Sequence, residues 1–465
     1  MPNLSQLVRL PRINFCLSYN KNKLIYSSLR NMSSIPNKNA SAPSLPEPVK
    51  MFSNAKLDVW TMFNIAAAKS GAVNLGQGFM NFPAPDLIKN AGLACIANDN
   101  CTQYSPPRGR PRLLKALAER YGKSIGRNIN PETEVMVTTG ANEGIFCALL
   151  AFIDKDARNE AIIIEPAFDQ YTPNIIMAGG KAVNVPLRVN PDLKPEVNII
   201  SSNEWKLDMA ELEAAITPKT KIIILNTPQN PTGKIFSYEE LISIADLAKK
   251  YNLLVISDEV YENLYYDNQK HISISSIPGM FDRTLIVGSM GKLFGVTGWR
   301  IGWVVGAQQL INPCLAAHTR TVFVSPSPQQ EAGGMAFEKA SESNFFDVQR
   351  EEYIGRRKKL MDAFDSVGLP YSIPHGSYFL LVNASRVRIP KDFHIPDYVS
   401  ERGRSFELCY FFTVHIGLGC IPPTEFYSEE HVHLAEDYVR FAFCKSDDVF
   451  EEATKRLAKL KQYIE

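Results

Sequence analysis

The 465-residue chain lacks long apolar runs, a large charge of one sign and paired cysteines. Its longest unbroken apolar run, residues 145–153, is about half as long as a membrane-spanning helix, so we do not expect this chain to be a membrane protein. The 50 basic and 49 acidic residues nearly cancel, which argues against nucleic-acid binding through bulk charge. The eight cysteines form no Cys-x-x-Cys pair and no cluster with histidine, which indicates reduced thiols and no metal site. No Gly-x-Gly-x-x-Gly follows a strand pattern, which argues against a dinucleotide-binding dehydrogenase.

Acidic residues are also absent from the first 46 positions, which carry six Lys or Arg residues and eight serines. A basic, serine-rich leader without acids is typical of a mitochondrial transit peptide. We therefore predict a transit peptide and linker over residues 1–50 and a mitochondrial location. Met32 and Met51 could serve as internal starts, and the shorter product would then be cytoplasmic. A disordered tail without a function is the alternative.

Short apolar, β-branched runs recur through the middle of the chain. They predict seven strands, at residues 135–138, 161–164, 183–187, 221–225, 253–257, 284–288 and 302–305. Most are continuously apolar, as strands covered on both faces should be. Helical patterns at 144–153, 209–216 and 238–251 lie between several of them. Alternating strands and helices predict an α/β fold with a mostly parallel, seven-stranded sheet.

Polar and aromatic residues follow five of these strands, at 139–142, 165–168, 226–231, 258–261 and 289–292. In such sheets, ligands bind outside the carboxyl ends of the strands. The five segments offer a helix N-terminus, an aromatic ring, amides, an acid with a phenol, and a lysine. Each group alone is a weak signal, but their shared placement at one sheet edge indicates a binding site.

This set of groups suits pyridoxal phosphate. Lys292 is the candidate that links to the cofactor aldehyde, and Asp258 is the candidate that keeps the ring nitrogen protonated. Tyr261 and Asn230 could bond the ring's phenolate oxygen, and the ring of Phe168 could stack on the cofactor. Lys292 would also act as the catalytic base and acid.

The phosphate of such a cofactor needs its own binding groups. The backbone amides of Ala141 and Asn142 begin a predicted helix, and a helix N-terminus binds anions. Ser289 and Arg300 could complete the phosphate site, Arg300 through paired charged hydrogen bonds. Asn226, which directly follows its strand, is a further candidate for cofactor binding.

Ser-Met-Gly-Lys at 289–292, with Arg300 eight residues further on, resembles the lysine signature of the fold type I, class I/II aminotransferases. Asn-Thr-Pro-Gln-Asn-Pro at 226–231 and Ser-Asp-Glu-Val-Tyr at 257–261 are similar to the family's other two cofactor segments. The resemblance runs in order over residues 60–440. It implies a large cofactor-binding domain at 86–330 and a small α+β domain built from both chain ends, residues 51–85 and 331–465.

Within that family, the sequence most resembles the kynurenine aminotransferase branch, in a fungal-type form, whose members are also known as cysteine-S-conjugate β-lyases. The segments that carry this resemblance are 74–79, 103–105, 165–171, 376–379 and 440–445. The resemblance implies a homodimer with shared active sites, in which Tyr104 reaches the phosphate of the neighbouring subunit. It also implies that Arg440 binds the substrate α-carboxylate, helped by Asn230 and the Gly78 amide, and that Trp60 lies beside the substrate side chain.

The implied reaction converts L-kynurenine and 2-oxoglutarate into 4-(2-aminophenyl)-2,4-dioxobutanoate, which gives kynurenate, and L-glutamate. β-Elimination from cysteine conjugates, or transamination of aromatic amino acids or glutamine, remains open on the same site. A catalytically silent binding protein is a remote alternative, which the intact set of site residues disfavours. Two other features carry no predicted function: residues 190–204 look like a surface excursion, and His431 and His433 look like surface residues.

Overall fold

The computed structural model describes residues 46–53 and 57–465. The predicted transit peptide and most of its linker therefore lie outside the described residues. Residues 57–465 form one compact unit, and the predicted domain boundaries at 51, 86 and 331 stay predictions. In the described ranges, no helix is long and apolar enough to cross a membrane.

The described residues contain fourteen β-strands. In chain order they are β1 (Val73–Asn74), β2 (Val135–Thr138), β3 (Glu160–Glu165), β4 (Lys181–Val189), β5 (Ile200–Ser201), β6 (Trp205–Leu207), β7 (Thr220–Asn226), β8 (Leu254–Asp258), β9 (Thr284–Ser289), β10 (Gly302–Val305), β11 (Tyr371–Ile373), β12 (Phe379–Asn383), β13 (Leu418–Gly419) and β14 (Tyr438–Ala442).

The same residues contain fifteen α-helices. They are α1 (Lys50–Ser53), α2 (Val59–Ser70), α3 (Asp86–Ile96), α4 (Pro111–Ile125), α5 (Ala141–Phe152), α6 (Tyr171–Met177), α7 (Met209–Ala214), α8 (Tyr238–Lys250), α9 (Met290–Leu293), α10 (Gln308–Thr321), α11 (Ser327–Ser341), α12 (Phe345–Asp365), α13 (Asp397–Ser400), α14 (Arg404–Phe411) and α15 (Asp447–Leu457).

The large sheet has the strand order β2-β10-β9-β8-β7-β3-β4-β6. All seven predicted strands belong to it, and most neighbours are parallel, as predicted. The predicted count is one strand short, because β6 pairs antiparallel with β4 at the sheet edge. This strand has only three residues, which is too short for a hydrophobic period to show. Strand β10 also runs antiparallel to both of its neighbours.

Alternate residues of the central strands pack into two hydrophobic clusters on opposite faces of the large sheet. In β3, Ile162 and Ile164 belong to one cluster with helix α8, and Ala161 and Ile163 belong to the other with helix α5. Both faces are therefore covered, as the continuous apolar runs predict. Each fully buried isoleucine contributes about 1.5–3 kcal/mol relative to exposure, so this sheet is a rigid base for the loops at its edge.

A second sheet, with the order β14-β12-β11-β5, lies outside the large one. Its edge strand β5 comes from the segment 190–204, where it pairs parallel with β11. The Ser202 hydroxyl in this segment is buried and donates to the Gly233 carbonyl at 3.0 Å. The prediction of a plain surface excursion is therefore wrong for its last residues, because their partners lie far away in sequence. Residues 190–199 are largely exposed.

Residues from the two ends of the compact unit share one hydrophobic cluster. Val59, Phe63 and Leu75 pack there with residues from 353 onward. Strand β1 also pairs parallel with β13. These contacts bring the Gly-Gln-Gly segment at 76–78 next to the second sheet.

Candidate functional site

Ten of the residues predicted to bind the cofactor line a single cavity of about 170 Å³. They are Ala141, Asn142, Phe168, Asn226, Asn230, Asp258, Tyr261, Ser289, Lys292 and Arg300. Strands β7, β8 and β9 end in Asn226, Asp258 and Ser289. Asn226 pairs directly with Asp258 across the parallel ladder, so these ends lie side by side.

Asp258 is a buried carboxyl held by two hydrogen bonds. The Tyr171 hydroxyl donates to its Oδ2 at 2.5 Å, and the Val260 amide donates to its Oδ1 at 3.2 Å. Burial raises the pKa of Asp258 to about 6, although both hydrogen bonds act in the opposite direction. A protonated nitrogen near this carboxyl would favour its ionised form.

The predicted phosphate end of the cavity is the start of helix α5. Gly140 caps the helix with a φ of +84°, and the Arg300 guanidinium packs so closely on it that a Cβ atom there would clash. Arg300 itself has a φ of 56° and donates to the Thr297 carbonyl at 3.2 Å. A helix N-terminus beside a guanidinium and the Ser289 hydroxyl is an anion-binding arrangement.

Lys292 is a partly buried amine with two acceptors. Its Nζ donates to the Tyr378 hydroxyl at 2.9 Å and to the Gly78 carbonyl at 3.3 Å. Burial lowers the pKa of Lys292 to about 8, and the charge of Asp258 opposes this shift. A large share of the amine is therefore neutral slightly above neutral pH, which a nucleophile requires.

Two asparagines connect this cavity to Arg440. The Asn226 Oδ1 accepts from the Asn230 amide at 2.9 Å, which fixes the loop after β7. The Asn230 Oδ1 in turn accepts from the Arg440 guanidinium at 2.9 Å. The predicted carboxylate-binding residues Asn230 and Arg440 are thus in direct contact.

Arg440 is only 1% exposed, although its alternating sequence context would also fit a strand in solvent. It donates to the Gly76 carbonyl at 2.8 Å, and its guanidinium carbon lies 4.2 Å from the Phe379 ring centroid and 5.4 Å from that of Trp60. In the described part of the chain, no acidic side chain forms an ion pair with it. Burial lowers the pKa of Arg440 to about 10. A buried charge without an acidic partner is costly, so this site suits an anionic ligand.

The structure places three further predicted residues outside the cavity wall. The Trp60 indole donates to the Asp169 carboxylate at 2.9 Å, close to the loop that carries Phe168. The Gly78 position is close to protein atoms: a Cβ there would lie 2.9 Å from the rings of Tyr378 and Phe379. Tyr104 is 80% exposed and does not line the cavity, and its ring meets that of Phe323 edge-on with 5.3 Å between the centroids.

Sequence reasoning did not assign roles to Tyr171 and Tyr378, which contact the two central ionisable residues. Both lie in segments that carry the family resemblance, but no periodicity or spacing shows that they reach the site. The prediction that His431 lies at the surface is wrong, because its Nδ1 lies 2.7 Å from a buried carboxylate oxygen of Glu165, where β3 ends. His433 is exposed, as predicted.

The family model of aminotransferase class I and II matches residues 70–455 of the chain. The chain belongs to this family. It is therefore an enzyme that uses pyridoxal phosphate, and its substrates are amino acids and 2-oxo acids. The anion-binding end, the buried carboxyl and the amine of Lys292 fit that cofactor through their own chemistry.

Named relatives cover almost the whole aminotransferase. The Saccharomyces cerevisiae protein "Probable kynurenine--oxoglutarate transaminase BNA3" is 42% identical over 422 residues, which are 89% of this chain and 94% of the yeast protein. The "Kynurenine--oxoglutarate transaminase" of Dictyostelium discoideum is 38% identical over 90% of this chain and 97% of its own. The crystal structure of yeast Bna3p superposes with a TM-score of 0.87 at 41% identity, covering 91% of this chain and all of that one.

Replacing Tyr171 with phenylalanine will weaken cofactor binding by about 10- to 100-fold, because a hydrogen bond to a charged group contributes roughly 1.5–3 kcal/mol. Without the Tyr171 hydroxyl, the pKa of Asp258 rises further, and the charged form that pairs with the ring nitrogen becomes scarcer. The loss of affinity should therefore grow as the pH falls toward 6. Titration of cofactor-free protein with pyridoxal phosphate, followed by visible absorbance at several pH values, measures it.

The matched control is Tyr371→Phe, which removes a tyrosine hydroxyl that donates to Asp365 at 2.9 Å, away from the cavity. It should leave cofactor affinity unchanged. A Tyr171→Phe protein that binds the cofactor within twofold of the wild type would contradict the expected role of this hydrogen bond.

Proposed function

We propose that this aminotransferase transfers the amino group of L-kynurenine to 2-oxoglutarate. The products are L-glutamate and 4-(2-aminophenyl)-2,4-dioxobutanoate, which closes to kynurenate. The observation that carries the proposal is the buried Arg440, which has no acidic partner among the residues that the structure describes and is joined through Asn230 to the cavity of Lys292. Both the amino acid and the oxo acid present a carboxylate that can pair with a guanidinium. The named activities of the yeast and Dictyostelium relatives support the choice of kynurenine.

Lys292 is the catalytic residue of this proposal. When bound, the cofactor supplies an aldehyde that reacts with amines and a ring that withdraws electrons. Asp258 would pair with the ring nitrogen and keep it protonated. Once the substrate amine has taken the place of Lys292 on the aldehyde carbon, the freed Nζ atom would accept the α-proton of the substrate and later donate it again as a general acid.

The other wall residues hold the cofactor. The Ala141 and Asn142 amides, Ser289 and Arg300 would bind its phosphate. The ring of Phe168 would stack on the cofactor ring, and Asn230 and Tyr261 would hydrogen-bond the cofactor's phenolate oxygen. Buried rings hold Tyr261 in place for this role, since its ring centroid lies 5.0 Å from the ring centroid of Tyr378. Asn226 is a further cofactor-binding residue of this wall.

Substrate binding uses the arginine and the aromatic rings around it. Arg440 takes the α-carboxylate, with help from Asn230 and the Gly78 amide. Trp60 and Phe426, whose ring centroids are 6.4 Å apart, border the place for the aromatic side chain of the substrate. Aromatic surfaces of this kind favour an aminophenyl group over a small polar side chain.

A homodimer with shared active sites accounts for Tyr104. This tyrosine and Phe323 form an exposed aromatic pair, which a second subunit would cover. In that assembly the Tyr104 hydroxyl would reach the phosphate of the neighbouring site.

We also propose that residues 1–50 direct the protein to mitochondria, with a cytoplasmic form from an internal start. A fluorescent reporter fused after residue 50, with Met32 replaced by leucine to remove the internal start, should be imported, and a diffuse reporter would contradict the mitochondrial location.

The test of the reaction is a paired assay on protein that begins at Met51. Its visible spectrum is recorded, L-kynurenine and 2-oxoglutarate are added, and kynurenate is measured. A cofactor band with kynurenate supports the proposal, and a cofactor band without kynurenate overturns the choice of substrate. Pyruvate and ammonia released from a cysteine conjugate would instead identify β-elimination.

A further inference from the structure

Tyr378 donates and accepts hydrogen bonds at the centre of the site without a role in the reaction described above. It lies just before strand β12, and its side chain is fully buried. Its hydroxyl accepts from Lys292 Nζ at 2.9 Å and donates to the Gly78 carbonyl at 2.7 Å. The same carbonyl also accepts from Lys292 at 3.3 Å. The three groups therefore form a closed triangle of hydrogen bonds.

We propose that the Tyr378 hydroxyl and the Gly78 carbonyl form a docking site for the Lys292 amine after the substrate has displaced it. Tyr378 is thus a positioning residue for the proton transfer. This inference rests on the proposed role of Lys292 and adds to it the groups that hold the free amine.

The chemistry of an ammonium group supports this assignment. After Lys292 has taken the substrate proton, its Nζ carries three N–H bonds and no acceptor. The Tyr378 oxygen and the Gly78 carbonyl can accept two of these bonds. The third bond remains for the return of a proton to the adjacent carbon, so the docking site stabilises the protonated amine and limits its orientation.

The Tyr378 ring is itself held in place. It stacks on Tyr353 with a centroid distance of 6.2 Å and an interplanar angle of 19°, and it meets the Tyr261 ring edge-on. A fixed ring keeps the hydroxyl in one place, so little ordering is needed when the amine arrives.

The docking site is also linked to the arginine. The turn at 76–78 presents its Gly76 carbonyl to Arg440 at 2.8 Å and its Gly78 carbonyl to Tyr378 at 2.7 Å. One short backbone segment thus contacts both the group proposed for the carboxylate and the group proposed for the free amine. Placement of the substrate carboxylate and placement of Lys292 are therefore connected through three residues.

The test is Tyr378→Phe, which removes the hydroxyl and keeps the ring. In cofactor-free protein, the reactivity of Lys292 toward acetic anhydride is measured against pH by mass spectrometry of its peptide. Loss of an acceptor disfavours the charged amine, so the midpoint should move down by about one pH unit. In the loaded enzyme, kcat should fall about 10-fold with little change in KM, since no substrate-binding group is altered.

The matched control is Tyr266→Phe, because the Tyr266 hydroxyl donates to the neighbouring Ser377 carbonyl at 2.6 Å and does not contact Lys292. It should leave the midpoint in place. An unchanged midpoint in Tyr378→Phe, or the same shift in both variants, overturns the proposal. If Tyr378→Phe does not fold, 3-fluorotyrosine at position 378 replaces it. This residue keeps the hydroxyl but accepts more weakly, so a smaller downward shift is expected, and no shift overturns the proposal.

The labelling experiment also separates this inference from the proposed function. If the midpoint shifts in Tyr378→Phe while the wild-type enzyme forms no kynurenate, the docking site is supported and the choice of substrate is overturned. If Tyr378→Phe has an unshifted midpoint and forms kynurenate at the wild-type rate, only the docking site is overturned.

Discussion

Replacing Lys292 with alanine will abolish transamination, with a loss of about 10⁴-fold or more, which is at or above the upper range for one positioned acid–base group. The variant loses both the amine that links to the cofactor and the base that takes the α-proton. The phosphate-binding groups and Asp258 remain, so the cofactor should still bind without a covalent bond. Kynurenate formation measures the loss of transamination. Borohydride treatment measures the loss of the covalent link, because it should attach the cofactor to the Lys292 peptide of the wild type only.

Lys115→Ala is the control for this substitution, because Lys115 has a side chain that is 76% exposed. It should retain full activity and the covalent label. A Lys292→Ala enzyme that transaminates at the wild-type rate would exclude Lys292 as the catalytic residue.

Lys292→Ala should also change how the stability of the cofactor-free protein depends on pH. Burial lowers the pKa of Lys292 to about 8, whereas an unfolded lysine has a pKa of about 10.4. The unfolded chain therefore binds more protons between these values, and the free energy of unfolding rises with pH across that window, by at most about 3 kcal/mol from this group. Lys292→Ala should lack this rise.

Replacing Arg440 with lysine will lower kcat/KM by about 10²- to 10³-fold for both the amino acid and the oxo acid, as loss of a buried charged hydrogen-bond partner costs about 3–4 kcal/mol. Lysine keeps the positive charge, but a single ammonium cannot reproduce the planar pair of donors that a carboxylate matches. It also cannot reach both Asn230 and the Gly76 carbonyl in the same way. Steady-state kinetics of each half-reaction measures the effect.

A matched substrate and a matched variant make this test specific. An amine that lacks the α-carboxylate should react equally slowly with the wild type and with Arg440→Lys. Arg388→Lys, at a side chain that is 53% exposed, should behave like the wild type. Unchanged kcat/KM for both substrates of Arg440→Lys would show that the carboxylate binds elsewhere.

Most of the large sheet could be predicted because its strands carry local signals. Val135–Thr138 and Gly302–Val305 form at the predicted bounds, and the other five strands differ by one or two residues at their ends. Strands β5 and β6 escaped prediction because two or three residues show no periodicity, and only their distant partners β11 and β4 define them. His431 escaped for a similar reason, since its partner Glu165 is far away in sequence.

The sequence by itself determined the alternation of strands and helices, the polar groups that follow the strands, and the family. These properties are local, because hydrophobic periods and motifs lie in continuous segments of chain. The order of residues also places Asn226, Asp258 and Ser289 at the ends of parallel strands. A parallel sheet then necessarily gathers them at one edge.

Only the tertiary structure decided how the ionisable groups are tuned. Burial raises the pKa of Asp258 and lowers that of Lys292, and burial depends on every element packed around the cavity. The contacts of Tyr171 with Asp258 and of Tyr378 with Lys292 join residues 87 and 86 positions apart. No local pattern can encode such pairs. The first exists only because helix α6 follows β3 beside the end of β8, and the second exists only because the second sheet, whose strand β12 begins just after Tyr378, closes over that edge.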